Sequence, residues 1–217
     1  MNHVWMIGPF MIKEIWLVEF ITGLAAYIAL KYIIAVRSID RGVLDSLWNA
    51  FLLFIVIWKF SYTLFHLFHV IEQPMSQLYF TGADKGIFLA FAGVAIYFIR
   101  LSQKTLIPFK NYIEIGFIAL FLVLGLYHLI ETLYGIGFIQ SILQVFLAAI
   151  LLAYWLLKTN EDGKRTLWPI LMVWFCLGEF FLTYFGNPVP VLFSFSYNQL
   201  GLILGSILGI IALYKKT

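Results

Sequence analysis

The sequence predicts an all-α integral membrane protein with seven transmembrane helices, its N-terminus outside and its C-terminus in the cytoplasm. Three observations predict this class. Of the 217 residues, 63% are hydrophobic and only 12% are charged, against about 25% charged in a typical soluble domain. The apolar residues form seven long runs between short polar segments. Most of the basic residues fall on one side of those runs, as the positive-inside rule requires of a multi-pass protein.

The apolar runs approach or reach the ~20 residues that a helix needs to cross a bilayer. Helices are predicted because unpaired backbone groups are too costly in lipid, and the runs are longer and less alternating than the strands of a membrane barrel. Short loops leave room for one seven-helix domain over residues 1–217. The predicted spans lie near 15–36, 48–70, 86–101, 112–133, 137–157, 167–185 and 197–214.

In chain order, the first run follows Lys13 and Glu14 and lacks a small-residue cleavage site, so we expect a permanent span rather than a signal peptide. The second run carries a polar stripe, and the third is the shortest. The fourth and sixth contain ionisable residues, and the fifth ends before a cytoplasmic turn at 159–166. In the last run, glycine recurs at a spacing that favours close helix packing within the chain: Gly201, Gly205 and Gly209.

The orientation follows from the positions of the 14 lysines and arginines. The outer side receives only Lys13 and Lys85, and Lys59 lies inside the second span. The net charge of +3 is too small and too dispersed for a nucleic-acid surface, so no nucleic-acid partner is expected. The other eleven fall on the predicted cytoplasmic side: Lys31, Arg37, Arg41, Arg100, Lys104, Lys110, Lys158, Lys164, Arg165, Lys215 and Lys216.

Seven ionisable side chains lie inside the predicted spans and away from their predicted cytoplasmic ends, where each is costly unless it is paired or hydrated. On the predicted topology all of them lie toward the outer side of the membrane and could share one cavity. His66 and His69 are three residues apart, as are His128 and Glu131, so each pair should lie on one helix face. The seven are Glu19, Lys59, His66, His69, His128, Glu131 and Glu179.

Three interpretations of these residues remain open. In a structural one, Lys59 pairs with Glu179 or Glu19, and the histidines lie at the headgroup level. In a metal-binding one, two bundle helices supply the ligands His66, His69, His128 and Glu131. In the third, a chain of Glu and His forms a proton or substrate relay in a small carrier.

Three stretches resemble the prolipoprotein diacylglyceryl transferase family of seven-helix bacterial membrane enzymes. WKFSYTLFHLFH (58–69), with Pro74 and the run at 82–100, is similar to the family's second and third spans. LVLGLYHLIETLYG (122–135) lies where the family has its signature span. WFCLGEFFLTYF (174–185) and SYNQLGLILGSILGIIALYKK (196–216) resemble the last two spans, including a Gln at the start of the final helix.

The resemblance is to a diverged member, because key Arg and His positions of the family are replaced. The family's His-Gly-Gly motif corresponds here to Asp84, Lys85 and Gly86. The Arg and Asn of the signature span correspond to His128 and Glu131. A family Tyr and Arg in the sixth span correspond to Phe175 and Glu179, which reverses a charge; Lys59 keeps a positive charge where the family has Arg, and Tyr62 is retained.

The resemblance implies a multi-pass protein of the bacterial plasma membrane that acts on a phospholipid in an outward-facing cavity. The family moves a diacylglyceryl group from phosphatidylglycerol to the Cys thiol of a lipoprotein precursor, and no cofactor is expected. His128 would then be a general base, Lys59 a phosphate or oxyanion partner, and Glu131 or Glu179 an orienting group. Lipid or substrate contacts are expected from Tyr62, His66, His69, Lys85 and Gln199. The alternative is a non-catalytic protein that binds a lipid, a metal or a partner helix.

Overall fold

A computed structural model describes residues 4–7, 10–37, 39–73, 83–105, 107–135, 137–161, 167–185 and 195–214. The described chain begins with an antiparallel hairpin that the sequence analysis did not predict. Its strands are β1 (Val4–Ile7) and β2 (Phe10–Lys13), with Val4 opposite Lys13 and Ile7 opposite Phe10. The hairpin precedes the first span directly.

Helices make up nearly all of the remaining described residues. They are α1 (Glu14–Val36), α2 (Arg41–Phe65), α3 (Leu67–Glu72), α4 (Ala83–Lys104), α5 (Phe109–Leu133), α6 (Phe138–Glu161), α7 (Trp168–Leu182) and α8 (Tyr197–Tyr214). A short 3₁₀ turn, Thr183–Phe185, extends α7.

Seven of these helices are long and apolar enough to cross a membrane, which confirms the predicted fold class. The second span begins at Gly42, earlier than predicted. It also ends earlier, at Phe65, because its helix is interrupted at His66. The third span extends three residues further than predicted, to Lys104. The spans are Leu17–Val36, Gly42–Phe65, Lys85–Lys104, Phe109–Leu133, Phe138–Lys158, Trp168–Phe185 and Tyr197–Tyr214. The chain is therefore a multi-pass, all-helical membrane protein.

The helix boundaries have local causes. The Gly42 N–H donates to Asp40 Oδ1 at 2.8 Å, which caps the start of α2. Pro169 stands in the first turn of α7, where the missing N–H costs nothing. Between α5 and α6 the backbone reverses through Gly135 and Gly137, both with positive φ, +70° and +53°.

The chain divides into two compact units, one comprising Ile34–Tyr112 and the other comprising Met1–Ile33 and Ile113–Thr217. In the first, hereafter the central unit, α2 packs against α4. Glycines on α4 allow this approach, since a Cβ at Gly93 would overlap Ile57.

In the second, hereafter the terminal unit, α7 packs between α6 and α8. A Cβ at Gly178 would lie 2.5 Å from Leu147 of α6, and one at Gly209 would lie 2.7 Å from Val173. Aromatic rings join α5 to α7, with the Phe121 and Phe175 centroids 5.5 Å apart.

Burial follows the pattern of a protein whose solvent is lipid. Large apolar side chains cover the outside, and Phe68 and Leu133 are 82% and 79% exposed. Among the described residues several polar side chains are buried. Gln144 bonds across helices to Glu179, whereas the Ser46 and Ser61 hydroxyls donate to carbonyls of their own helix. The buried polar residues are Thr22, Ser46, Ser61, Glu114, Ser141, Gln144 and Gln199.

Candidate functional site

The predicted His128–Glu131 pair is formed on α5 of the terminal unit. His128 Nδ1 lies 2.7 Å from Glu131 Oε2, close enough for a short, charge-assisted hydrogen bond. The same Glu131 oxygen accepts a 3.1 Å hydrogen bond from the Ser141 hydroxyl, which lies near the start of α6. Groups from two helices therefore hold this carboxylate.

A second carboxylate belongs to the same region. Gln144, one helical turn after Ser141 on α6, donates through Nε2 to Glu179 Oε1 on α7. We refer to these five residues, His128, Glu131, Ser141, Gln144 and Glu179, as the His128 network. It joins α5, α6 and α7.

Within the His128 network, the neutral donors are less exposed than the His–Glu pair. The donors Ser141 and Gln144 are 3% and 5% exposed, so they lie in the core. The His128 and Glu131 side chains are 21% and 18% exposed. Buried neutral donors thus hold the carboxylates from the inside, while the His–Glu pair stays accessible to a molecule that approaches the network.

This arrangement can support base chemistry. When a carboxylate accepts from the Nδ1–H of a histidine, the lone pair is left on Nε2 and the ring is held in one orientation. His128 meets the geometric requirement through Glu131. Of the two carboxylates predicted as orienting groups, Glu131 lies within hydrogen-bonding distance of His128. Glu179 accepts a hydrogen bond from the side-chain amide of Gln144.

The central unit gathers a second set of predicted residues, which we call the Tyr62 cluster: Tyr62, His66, His69 and Lys85. The Tyr62 ring lies 4.8 Å from the His66 ring and 6.5 Å from the His69 ring, measured between centroids. Lys85 Nζ lies 5.9 Å from the centroid of Phe65, within range of a cation–π contact. Tyr62 is buried, whereas both histidines and Lys85 are exposed.

The polar stripe predicted along the second span is interrupted within this cluster. His66 has φ −134° and ψ 44°, and it separates α2 from α3. The His66 N–H still donates to the Tyr62 carbonyl at 2.9 Å, and the Val70 N–H donates to the His66 carbonyl at 3.1 Å. The two histidines reach the same tyrosine despite the break.

Two further predicted residues lie on the spans themselves. Lys59 is half-buried on α2, one turn before Tyr62, and belongs to the central unit. Glu19 is exposed on α1 and belongs to the terminal unit.

Gln199, predicted as a lipid or substrate contact, has a capping role in the structure. It is 1% exposed. The Ser196 N–H donates to Gln199 Oε1 at 2.8 Å, and the Gln199 N–H donates to Ser196 Oγ at 3.3 Å, which together form a capping box at the start of α8. Gln199 Nε2 donates to Thr183 Oγ1 at 3.0 Å. The amide oxygen thus belongs to the cap of α8, and the amide nitrogen joins α8 to the end of α7.

The alternative metal set draws His66 and His69 from the central unit and His128 and Glu131 from the terminal unit. Within the described ranges, no group of three or more His, Cys, Asp or Glu side chains is placed to hold a metal ion. The histidine pair of the Tyr62 cluster surrounds an aromatic ring instead.

Three residues that shape the terminal unit were not singled out in the sequence. Ser141 and Gln144 carry a weak signal, since they are polar residues one turn apart in an apolar run. Glu114 accepts from Trp155 Nε1 at 2.7 Å and from the Leu167 N–H at 2.9 Å. In the sequence, Glu114 lies near the start of a predicted span and so resembles a charged residue at the membrane surface.

No protein-family model and no curated protein matches this sequence. The resemblance to the prolipoprotein diacylglyceryl transferase family therefore stays a prediction that depends on the three stretches quoted above.

Proposed function

We propose that the chain is a membrane-embedded, prolipoprotein diacylglyceryl transferase-like enzyme that acts on a phospholipid through the His128 network. The observation that carries this proposal is the 2.7 Å hydrogen bond between His128 Nδ1 and Glu131 Oε2. A histidine oriented in this way is suited to accept a proton from a nucleophile.

In the proposed reaction, His128 Nε2 accepts the proton of a lipoprotein Cys thiol. The thiolate attacks the glycerol carbon that carries the phosphate ester of phosphatidylglycerol, and a C–S bond forms as the C–O bond breaks. Glycerol phosphate leaves with the electron pair of that bond. The proton on His128 then passes to the leaving group or to water, and Glu131 stabilises the imidazolium in the meantime.

The leaving phosphate needs cationic partners. The family resemblance assigns this role to Lys59 and assigns substrate contacts to the Tyr62 cluster, both on the central unit. An ionised Glu179 would repel a phosphate, and the hydrogen bond from the Gln144 amide holds its carboxylate against α6.

The proposed location is the bacterial plasma membrane, with the N-terminus outside and the C-terminus in the cytoplasm. This orientation is supported by the concentration of basic residues on one side of the spans. It places the His128 network toward the outer leaflet, where a phospholipid and a lipoprotein precursor would meet.

The test is a transfer assay with purified protein, labelled phosphatidylglycerol and a lipobox peptide. We expect labelled peptide with the native chain, at least a ~100-fold slower rate with His128→Ala, and a smaller loss with Glu131→Gln, because general-base catalysis typically contributes about 10²–10⁴-fold.

The matched control is Glu72→Gln, which removes a carboxylate from the exposed end of α3. It should transfer at the native rate. No transfer by native protein above the His128→Ala background would overturn the proposal.

A non-catalytic lipid-binding protein is the second candidate. It is favoured by the fact that Ser141 and Gln144 already satisfy the two network carboxylates, as expected of a structural polar network. Native protein that co-purifies with stoichiometric phospholipid but yields no labelled peptide would support this candidate. Stoichiometric metal in the purified protein would instead favour the metal-binding interpretation.

A further inference from the structure

A groove in the central unit is separate from the His128 network and from the Tyr62 cluster. It has a volume of about 410 Å³, within the roughly 300–1,000 Å³ range of small-molecule sites. Its walls come from α2 and α4, and all of its lining residues belong to the central unit. Those that matter here are Leu53, Ile57, Ile96, Tyr97, Arg100 and Lys104.

The groove runs along α4 from mid-helix to its C-terminal end. Gly93 lines the end of the groove at mid-helix, and Lys104 lines the end at the helix C-terminus. Eleven residues of α-helix at 1.5 Å per residue correspond to about 16 Å. One leaflet of a ~30 Å hydrocarbon core has almost the same thickness, about 15 Å. The length of the groove along α4 thus matches the thickness of one lipid leaflet.

The two ends of the groove differ in chemistry. The deep part is apolar, with Leu53 and Ile57 on one wall and Ile96 on the other. The end nearest the helix terminus has Arg100 and Lys104, one turn apart on α4 and both exposed. An arginine fork beside a lysine suits the oxygens of a phosphate, while the apolar part suits a hydrocarbon chain.

We propose that this groove binds one anionic phospholipid, with the headgroup phosphate between Arg100 and Lys104 and an acyl chain along Leu53, Ile57 and Ile96. On the predicted topology this end of α4 faces the cytoplasm. Basic pockets between helices on that side bind anionic headgroups, because the cytoplasmic leaflet carries the anionic lipids. The site lies at the opposite end of α4 from Lys85, so it does not depend on the proposed transferase reaction.

The test is native mass spectrometry of delipidated full-length protein with equimolar phosphatidylglycerol and phosphatidylcholine that carry the same acyl chains. We expect phosphatidylglycerol to bind about 10- to 30-fold more tightly, as two basic contacts at the membrane surface predict. The R100Q/K104Q variant should lose this preference. Ile96→Trp, which fills the apolar part, should weaken the binding of both lipids.

The matched control is K31Q/K110Q, which removes the same net charge from exposed lysines that do not line the groove. It should keep the native preference. Equal binding of the two lipids by native protein, or an unchanged preference in R100Q/K104Q with native thermal stability, would overturn the proposal. Glycerol phosphate that binds as tightly as phosphatidylglycerol would also overturn it, because the apolar groove would then contribute nothing.

Discussion

Three carboxylates inside the spans of the terminal unit each receive a donor from a neighbouring helix. Glu131 accepts from Ser141, Glu179 accepts from Gln144, and Glu114 accepts from Trp155. An unpaired acceptor in hydrocarbon costs several kcal/mol, so each donor is needed to keep the carboxylate in place. Of the three, only Glu131 also contacts a histidine at hydrogen-bonding distance, which is why the proposed chemistry is assigned to that residue pair.

Glu114 provides a test of this view that does not depend on activity. Glu114→Ala would leave the Trp155 indole N–H and the Leu167 backbone N–H buried without their acceptor. We expect the free energy of unfolding to fall by about 2–5 kcal/mol, since each buried unsatisfied donor costs ~1–3 kcal/mol. Thermal unfolding in detergent measures this loss. Glu72→Ala, at an exposed helix end, should leave the midpoint unchanged; equal effects of the two variants would contradict the prediction.

Gln199 and Asn198 form a second matched pair, since they are neighbours that differ in burial. Gln199→Leu would remove the capping box and the link to Thr183, and we expect a loss of about 1–3 kcal/mol. Asn198→Leu changes an exposed side chain and should have little effect. Unfolding midpoints in detergent would compare the two. If Gln199→Leu were as stable as the native chain but lost lipid binding, the substrate-contact prediction would be favoured over the capping role.

Helix α2 shows how the backbone of a span can change the meaning of a sequence pattern. A continuous helix would have placed Lys59, Tyr62, His66 and His69 in one stripe. The break at His66 ends that regularity, yet both imidazole rings still lie beside Tyr62. Both histidines of the cluster therefore pack against one aromatic ring.

Helix α8 packs on α7 through some of its glycines and not others. A Cβ at Gly209 would lie 2.7 Å from Val173 Cγ2 and 3.2 Å from the Pro169 carbonyl oxygen, whereas a Cβ at Gly201 would meet nothing within 4 Å. Of the predicted series of glycines, Gly209 thus lies inside the α7–α8 interface and Gly201 lies outside it.

This difference predicts opposite effects for the same substitution. Gly209→Ala should destabilise the protein by about 1–3 kcal/mol, because a tightly packed interface must separate. Gly201→Ala should be neutral or stabilise by ~0.5–1 kcal/mol, since alanine restricts the unfolded chain without a clash. Thermal unfolding of the two variants decides this, and a Gly209→Ala variant at least as stable as Gly201→Ala would contradict the assigned helix packing.

The orientation of the chain in the membrane is predicted from charge. A green fluorescent protein fused to the C-terminus should fluoresce, and alkaline phosphatase fused there should be inactive, because both report a cytoplasmic location. Phosphatase fused after Gln73, beyond two spans, should be active. The reverse pattern would invert the topology and would move the Arg100–Lys104 groove to the outer leaflet, without altering its contacts.

The seven spans and the helical class could be predicted from the sequence alone, and so could the contact between His128 and Glu131. The reason is that each is local. Lipid forces every backbone group of a span to bond within its own helix, so hydropathy alone locates the helices. Residues three apart on a helix are neighbours whatever the helix packs against.

The partners on other helices were decided by the tertiary structure. Trp155 is 41 residues from Glu114, and the Gln144–Glu179 contact spans 35 residues. An apolar run indicates that a helix crosses the membrane but leaves its rotation about its own axis undetermined, because lipid tails accept any apolar face equally. Packing sets that rotation. It therefore determines that Gln199 reaches Thr183, that Gly209 rather than Gly201 meets α7, and that Ser141 reaches the carboxylate that contacts His128.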